Sequence, residues 1–127
     1  KVSEEDLGVD GWDVGSERQA IAAARALTER GAAAVVISRG GEPAIACAEG
    51  RVVRIEPPSL TEVDHAGAGD SMTAGIAVGR MRGLSTIDAI KLGAAAGAGN
   101  VVRRGLGSGS RDLIGELTDL VQLEEVR

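Results

Sequence analysis

The sequence predicts an α/β fold in which helices cover a sheet. Three observations carry that prediction. An amphipathic pattern from Ser16 to Gly31 runs directly into a continuous apolar stretch, Ala33 to Ser38, rich in β-branched residues. Such a stretch suits a strand covered on both faces, as in a parallel sheet, so helix, turn and strand in this order suggest a crossover unit. Two more strand patterns, Ala44 to Ala48 and Arg51 to Glu56, are joined by the hairpin signal Glu49-Gly50. Beyond them, a loop of small residues, Gly67-Ala68-Gly69, leads into helical patterns that fill the remaining chain.

Taken in order, Lys1 to Leu7 reads as a strand end followed by an acidic helix N-terminus at Glu4, Glu5 and Asp6. Ser16 with Gln19 has the form of a capping box, and Ala20, Ile21, Ala24 and Leu27 recur at helical spacing. In the third strand Val53 and Ile55 share one face, Arg54 and Glu56 the other, which fits a sheet edge wet on one side. Pro57 and Pro58 end that ladder, since proline has no N–H to donate. A largely buried helix of small and apolar residues is expected from Asp70 to Arg82, broken by Gly83. Ser85 with Asp88 caps the next helix, which reaches Val101, and Gly93 and Gly97 within it mark close helix packing. A loop with two cations, Arg103 to Gly109, precedes Ser110, which caps a last helix expected to cover the sheet.

Composition narrows the function. Of 127 residues 43% are apolar, yet Trp12 is the one aromatic residue, so the core must be built from Val, Ile, Leu and Ala with many of the 19 glycines allowing close approach. A net charge of -5 and the absence of Tyr and Phe argue against a nucleic-acid surface. Cys47 stands alone in an apolar run and reads as a small buried hydrophobe, with nothing pointing to secretion. The apolar run Leu92 to Val102 is far short of the ~20 residues a bilayer span needs. No signal-peptide pattern is visible, and a cytoplasmic location is expected. The start at Lys1, without an initiator methionine, suggests a piece of a longer protein.

The chemistry concentrates in Asp64-His65-Ala66-Gly67-Ala68-Gly69-Asp70-Ser71-Met72-Thr73-Ala74-Gly75. Gly67, Ala68 and Gly69 leave their backbone N–H groups open to an anion, and the first helical turn adds unpaired donors and a partial positive charge. Asp70 is then held beside whatever phosphate binds. It is not a dinucleotide fingerprint, because Met72 stands where a glycine is needed, and neither Lys1 nor Lys91 completes a P-loop. A tight turn into a buried helix is the competing reading of the same residues.

The order of residues from Asp64 to Gly75 closely resembles the second signature of the ribokinase-like (phosphofructokinase B, PfkB) carbohydrate kinases; His65 departs, standing where that family usually has Thr, Ser, Pro or Val. The resemblance covers nearly the whole chain. It implies the C-terminal part of a three-layer α/β/α fold with parallel strands, a hairpin and covering helices. It further implies that residues 1–127 carry the nucleotide site and the catalytic base, with the N-terminal substrate and lid part absent. By resemblance Asp70 is the general base, and Gly67, Ala68 and Gly69 form the anion hole for the ATP phosphates. Ser38 and Gly40 match a Thr/Ser-x-Gly nucleotide contact, for which a structural turn is an equal reading. Ala94, Ala98 and Asn100 lie near the adenine, with a structural helix-end bond open for Asn100. Asp64 matches the carboxylate that, with carbonyls of the glycine loop, holds a monovalent cation in many members. Ser3 and Asp6 stand where Asn-x-x-Glu organises magnesium, and an acidic helix N-terminus is their plainer reading.

The function implied is ATP-dependent phosphoryl transfer to a sugar or sugar-phosphate hydroxyl, with ATP, Mg2+ and in many members K+. The phosphofructokinase-type branch is favoured, and the isolated chain is expected to be inactive. The implied partners are the sugar or sugar phosphate and, for the full-length protein, a homodimer; nucleic acid and membrane are not expected. Two alternatives stand beside it: a non-catalytic nucleotide- or anion-binding fragment, and an α/β piece kept for packing.

Overall fold

The computed structural model describes residues 1–105 and 109–127. They form two compact units, one of residues 1–55 with 123–127 and one of residues 56–122. Part of the expected glycine loop, residues 106–108, lies outside the described residues.

The first unit carries the sheet. Its elements are β1 (Val2–Ser3), α1 (Glu4–Val9), α2 (Glu17–Glu29), β2 (Ala34–Arg39), β3 (Glu42–Ala48), β4 (Arg51–Glu56) and β5 (Gln122–Glu125), with the strands in the order β1-β2-β3-β4-β5. β1 runs parallel to β2, placing Val2 opposite Ile37 and Ser3 opposite Ser38. The expected parallel strands stop there, because β2 to β3 and β3 to β4 are antiparallel. Tight turns join these strands directly and leave no room for a crossover. Gly40 has φ +58° in the first turn; in the second Glu49 and Gly50 have φ +55° and +73°, the pair of left-handed residues that a type I′ hairpin requires.

β3 begins at Glu42 and so takes in Pro43, two residues earlier than the expected start at Ala44. The register with β2 shifts between Ile37 and Arg39, so the proline with no N–H to offer sits beside an irregular part of the ladder. Ala20, Ala23 and Ala24 of α2 join Leu7, Val14, Val35, Ile37, Ile45, Cys47 and Val52 in one buried cluster, and the small alanines let the helix lie close to the sheet. Cys47 is buried, as a small hydrophobe should be. Ser16 caps α2 by accepting from the Gln19 amide at 3.3 Å, and the Gln19 side chain accepts from the Ser16 hydroxyl at 2.7 Å while donating to Asp13.

β4 is not the edge that its alternation suggested. β5 follows it in the sheet, and both Val52 and Val53 are buried. Every residue of β5 is exposed, so no hydrophobic alternation announces it. It is held by Arg51 to Glu125 at 3.1 Å, Arg54 to Glu124 at 3.5 Å and the Val126 amide donating to the Val52 carbonyl at 2.8 Å.

The second unit contains α3 (Ala68–Met81), α4 (Thr86–Val101) and α5 (Arg111–Leu120). α4 is its core, with residues 93–100 all buried and Ser85 capping it through the Asp88 amide at 3.0 Å. α3 meets α4 through Gly75 and Gly79, where an added Cβ would stand 2.8 Å from the Cα of Gly93 and of Ala89. The expectation of a largely buried α3 fails. Only Met72 and Gly79 are buried, while Val78 and Met81 are 40% and 87% exposed, because one neighbouring helix covers only one face. α5, expected against the sheet, packs on α4 within this unit, with Leu117 Cδ1 and Ile114 Cγ1 set over Gly99. Among the described residues no helix is long and apolar enough to cross a membrane.

Candidate nucleotide and catalytic site

The stretch entering α3 is shaped by its own backbone. The Val63 and Asp64 amides both donate to the Val101 carbonyl, at 2.8 and 3.0 Å, which ties the incoming chain to the end of α4. Asp64 Oδ1 accepts from the Ala66 amide at 3.0 Å, an Asx turn that bends the chain back. Exposed His65 pairs with Glu62. Gly67 follows with φ +78°, a conformation that costs glycine little, and α3 starts at Ala68 instead of at Asp70.

That early start changes the site. Ser3, Ser16, Ser85 and Ser110 cap the other helices with side-chain oxygens, whereas Gly67 caps α3 with none. The Ala68 amide donates to His65 and the Ser71 amide to Gly67. Among the described residues the Gly69 and Asp70 amides have no acceptor. A serine or aspartate at the cap would bond one of these donors with its side chain; glycine leaves them for an external anion. Asp70 is exposed in the same first turn, so a carboxylate and a helix end with open amides lie side by side. Gly97 of α4 passes beneath, where a Cβ would be 3.1 Å from the Ala68 carbonyl oxygen.

Asp64, Gly67, Ala68, Gly69, Asp70, Ala98 and Asn100 all belong to the second unit, and Ser3, Asp6, Ser38 and Gly40 to the first. Ala98 is buried on α4. Asn100, only 1% exposed, donates from Nδ2 to the Ala66 carbonyl at 2.7 Å and accepts from the Ser71 hydroxyl at 3.1 Å. Its amide thus bonds the loop on both sides of residues 67–70, the structural reading that the sequence left open for it. Ser71 was missed by the sequence reading. The signal was the lone amide in an apolar run, which had to find partners.

Ser38, next to last in β2, is half-buried with its hydroxyl 3.5 Å from the Val2 carbonyl, and Gly40 is exposed in the turn. Arg39 between them is 8% exposed, with Nε 3.3 Å from Glu4 Oε2 and Nη1 3.9 Å from Glu17. The Nε contact is off-line for a hydrogen bond, so this is an ion pair. Ser3 and Asp6 are bonded to each other as a reciprocal capping box. The hydroxyl and then the amide of Ser3, with Lys1 adding attraction, hold the Asp6 carboxyl below its ordinary range. Among the described residues no group of three or more His, Cys, Asp or Glu side chains could hold a metal ion. Ser3 and Asp6 turn polar atoms toward each other in that capping box, which suits contact with a hydrated divalent cation rather than direct ligation.

The sequence model for pfkB family carbohydrate kinases matches residues 3–113. The chain belongs to that family. Within the pfkB family it is 38% identical over 103 residues to an ATP-dependent 6-phosphofructokinase isozyme 2 of Mycobacterium tuberculosis, covering 80% of this chain and 30% of that protein. It is 35% identical over 108 residues to 1-phosphofructokinase of Escherichia coli, covering 84% and 34%. The chain thus spans about a third of the curated relatives it matches. Among solved structures, phosphofructokinase-2 of Escherichia coli in complex with potassium superposes with TM-score 0.85 at 21% identity, covering 94% of this chain and 40% of that one. A Staphylococcus aureus protein provisionally named a phosphofructokinase gives 0.85 at 28%, covering 98% and 40%. The α/β, ribokinase-like fold and the family expected from the Asp64 to Gly75 stretch are both borne out.

Proposed function

We propose that the complete protein transfers the γ-phosphoryl group of ATP to a hydroxyl of a sugar or sugar phosphate, with the phosphofructokinase branch favoured by the names of its relatives. The observation that carries this reading is the glycine-capped start of α3, which sets open Gly69 and Asp70 amides beside the exposed Asp70 carboxylate. Phosphoryl transfer is mostly positioning and charge stabilisation, and these are the parts it needs. The open Gly69 and Asp70 amides receive the charge that develops on the phosphate oxygens, and the Gly67-Ala68 backbone forms the turn that leads into them. Asp70 accepts the hydroxyl proton as the acceptor oxygen bonds to phosphorus and the bond to ADP breaks.

Ser38, Gly40 and Ala98 are assigned to the nucleotide. Magnesium would be held chiefly by the phosphates and water and would neutralise phosphate charge, with Ser3 and Asp6 reaching it at most through water. Asp64 is the candidate for K+, in keeping with the potassium complex of the Escherichia coli neighbour. A cytoplasmic homodimer is proposed for the full-length protein; a tetrameric form is known for that neighbour. The chain alone is expected to show no turnover.

In the complete kinase Asp70→Asn should lower kcat by about 10²- to 10⁴-fold, roughly 3 to 5 kcal/mol of barrier, with ATP binding retained. Turnover close to that of the unmodified enzyme would refute the assignment.

A further inference from the structure

We infer that Asn100 is a positioning residue for the phosphoryl-transfer site: its amide grips the loop on both sides of residues 67–70 and so sets where the Asp70 carboxylate and the open amides point. The inference rests on reading Asp70 as the base. Asn100 Nδ2 donates to Ala66, just before the glycine turn, and Asn100 Oδ1 accepts from Ser71, just after Asp70. One side chain thus closes a bracket around the site from a helix 34 residues away in sequence from Ala66.

Several features make the bracket specific. The two partners are of opposite character, a carbonyl that can only accept and a hydroxyl that here donates. They fix the orientation of the amide, because turning it over would set its oxygen against the Ala66 carbonyl. Burial raises the stakes: at 1% exposure no solvent can replace a lost bond. Its setting is apolar, closing the buried stretch 93–100 where packing alone would be served by an alanine or a leucine. The next residue grips the same loop, since the Val101 carbonyl accepts from Val63 and Asp64. The end of α4 therefore holds the loop at Val63, Asp64 and Ala66, and the first turn of α3 at Ser71.

A looser bracket would leave the phosphate and sugar contacts in place but blur the approach of Asp70 to the hydroxyl, and small misplacements of a reacting group cost about 10²-fold in rate. The test is steady-state kinetics of the complete kinase with fructose phosphates and MgATP, comparing Asn100→Ala, Ser71→Ala, Ser71→Thr and Asp70→Asn. Asn100→Ala should lower kcat by about 10²-fold with KM for both substrates within about threefold. Ser71→Ala should lose kcat in the same pattern to a smaller extent, and Ser71→Thr, which keeps the hydroxyl, should recover it. If Asn100→Ala fails to fold, the two Ser71 variants decide alone. Unchanged kcat in Ser71→Ala and in any folded Asn100→Ala overturns the bracket while Asp70→Asn remains dead. A rise in KM at constant kcat overturns it too, and would restore a direct nucleotide contact for Asn100. Full activity in Asp70→Asn would instead remove the reading on which the inference rests.

Discussion

The backbone of Gly93 passes so close to that of Met72 that a β-carbon on Gly93 would stand 2.6 Å from the Met72 carbonyl oxygen. The same atom would lie 2.5 Å from Ile76 Cγ1. α3 and α4 are therefore in backbone contact along Gly75, Gly79, Gly93 and Gly97, and this contact sets the height of the Asp70 turn over α4.

Gly93→Ala should be destabilising for that reason. Alanine gains about 1 kcal/mol of helix propensity over glycine, but a backbone carbonyl cannot swing aside as a side chain can, and overpacking costs about 1–3 kcal/mol or more. A net loss of about 1–2 kcal/mol is expected in urea unfolding followed by circular dichroism. Gly115→Ala on α5, where a β-carbon meets nothing within 4 Å, is the control and should gain about 0.5–1 kcal/mol. Equal effects from both substitutions would contradict the close contact.

Arg39 and Glu4 should respond unequally to mutation. Arg39 is 8% exposed and Glu4 32%, so neutralising the glutamate strands a buried cation, whereas removing the arginine strands a carboxylate that water can still reach. Glu4→Gln should cost about 1–3 kcal/mol, softened by Glu17 at 3.9 Å, and Arg39→Met clearly less. Trp12 packs on the same core, and its fluorescence in urea titrations reads the comparison.

The Asp6 cap should give α1 an acid limit. Its carboxyl is held below the ordinary value by the Ser3 hydroxyl first and the Ser3 amide second. A depressed value means that the cap's stabilisation is present above the unfolded carboxyl value and is lost as pH falls through the folded one. Amide shifts of residues 4–9 should therefore begin to move toward coil values below about pH 4. In Asp6→Asn this acid step should vanish, and its persistence would place the titrating group elsewhere.

Local physics made much of the molecule legible in sequence. Serine caps at residues 16, 85 and 110, the Glu49-Gly50 turn, the glycine-rich face of α4 and the Asp64 to Gly75 stretch each depend on neighbours within a few residues, whose conformational preferences and bonding reach are local. The family and fold followed from that stretch. Longer-range pairing decided the rest. Antiparallel β2 and β3 needed the turn after Arg39 to close instead of crossing over, and β5, exposed at every residue and flanked by ion pairs to β4, has no burial pattern of its own. The open face of α3 depends on which neighbours cover it, which periodicity does not encode. A side chain's composition likewise does not name its partner: Asn100 announced only that it must bond, and the path of α4 brought it to Ala66 and Ser71. The sequence by itself determined which residues could cradle a phosphate; tertiary packing decided how they are held, because a buried hydrogen bond acts only where the chain brings its two ends together.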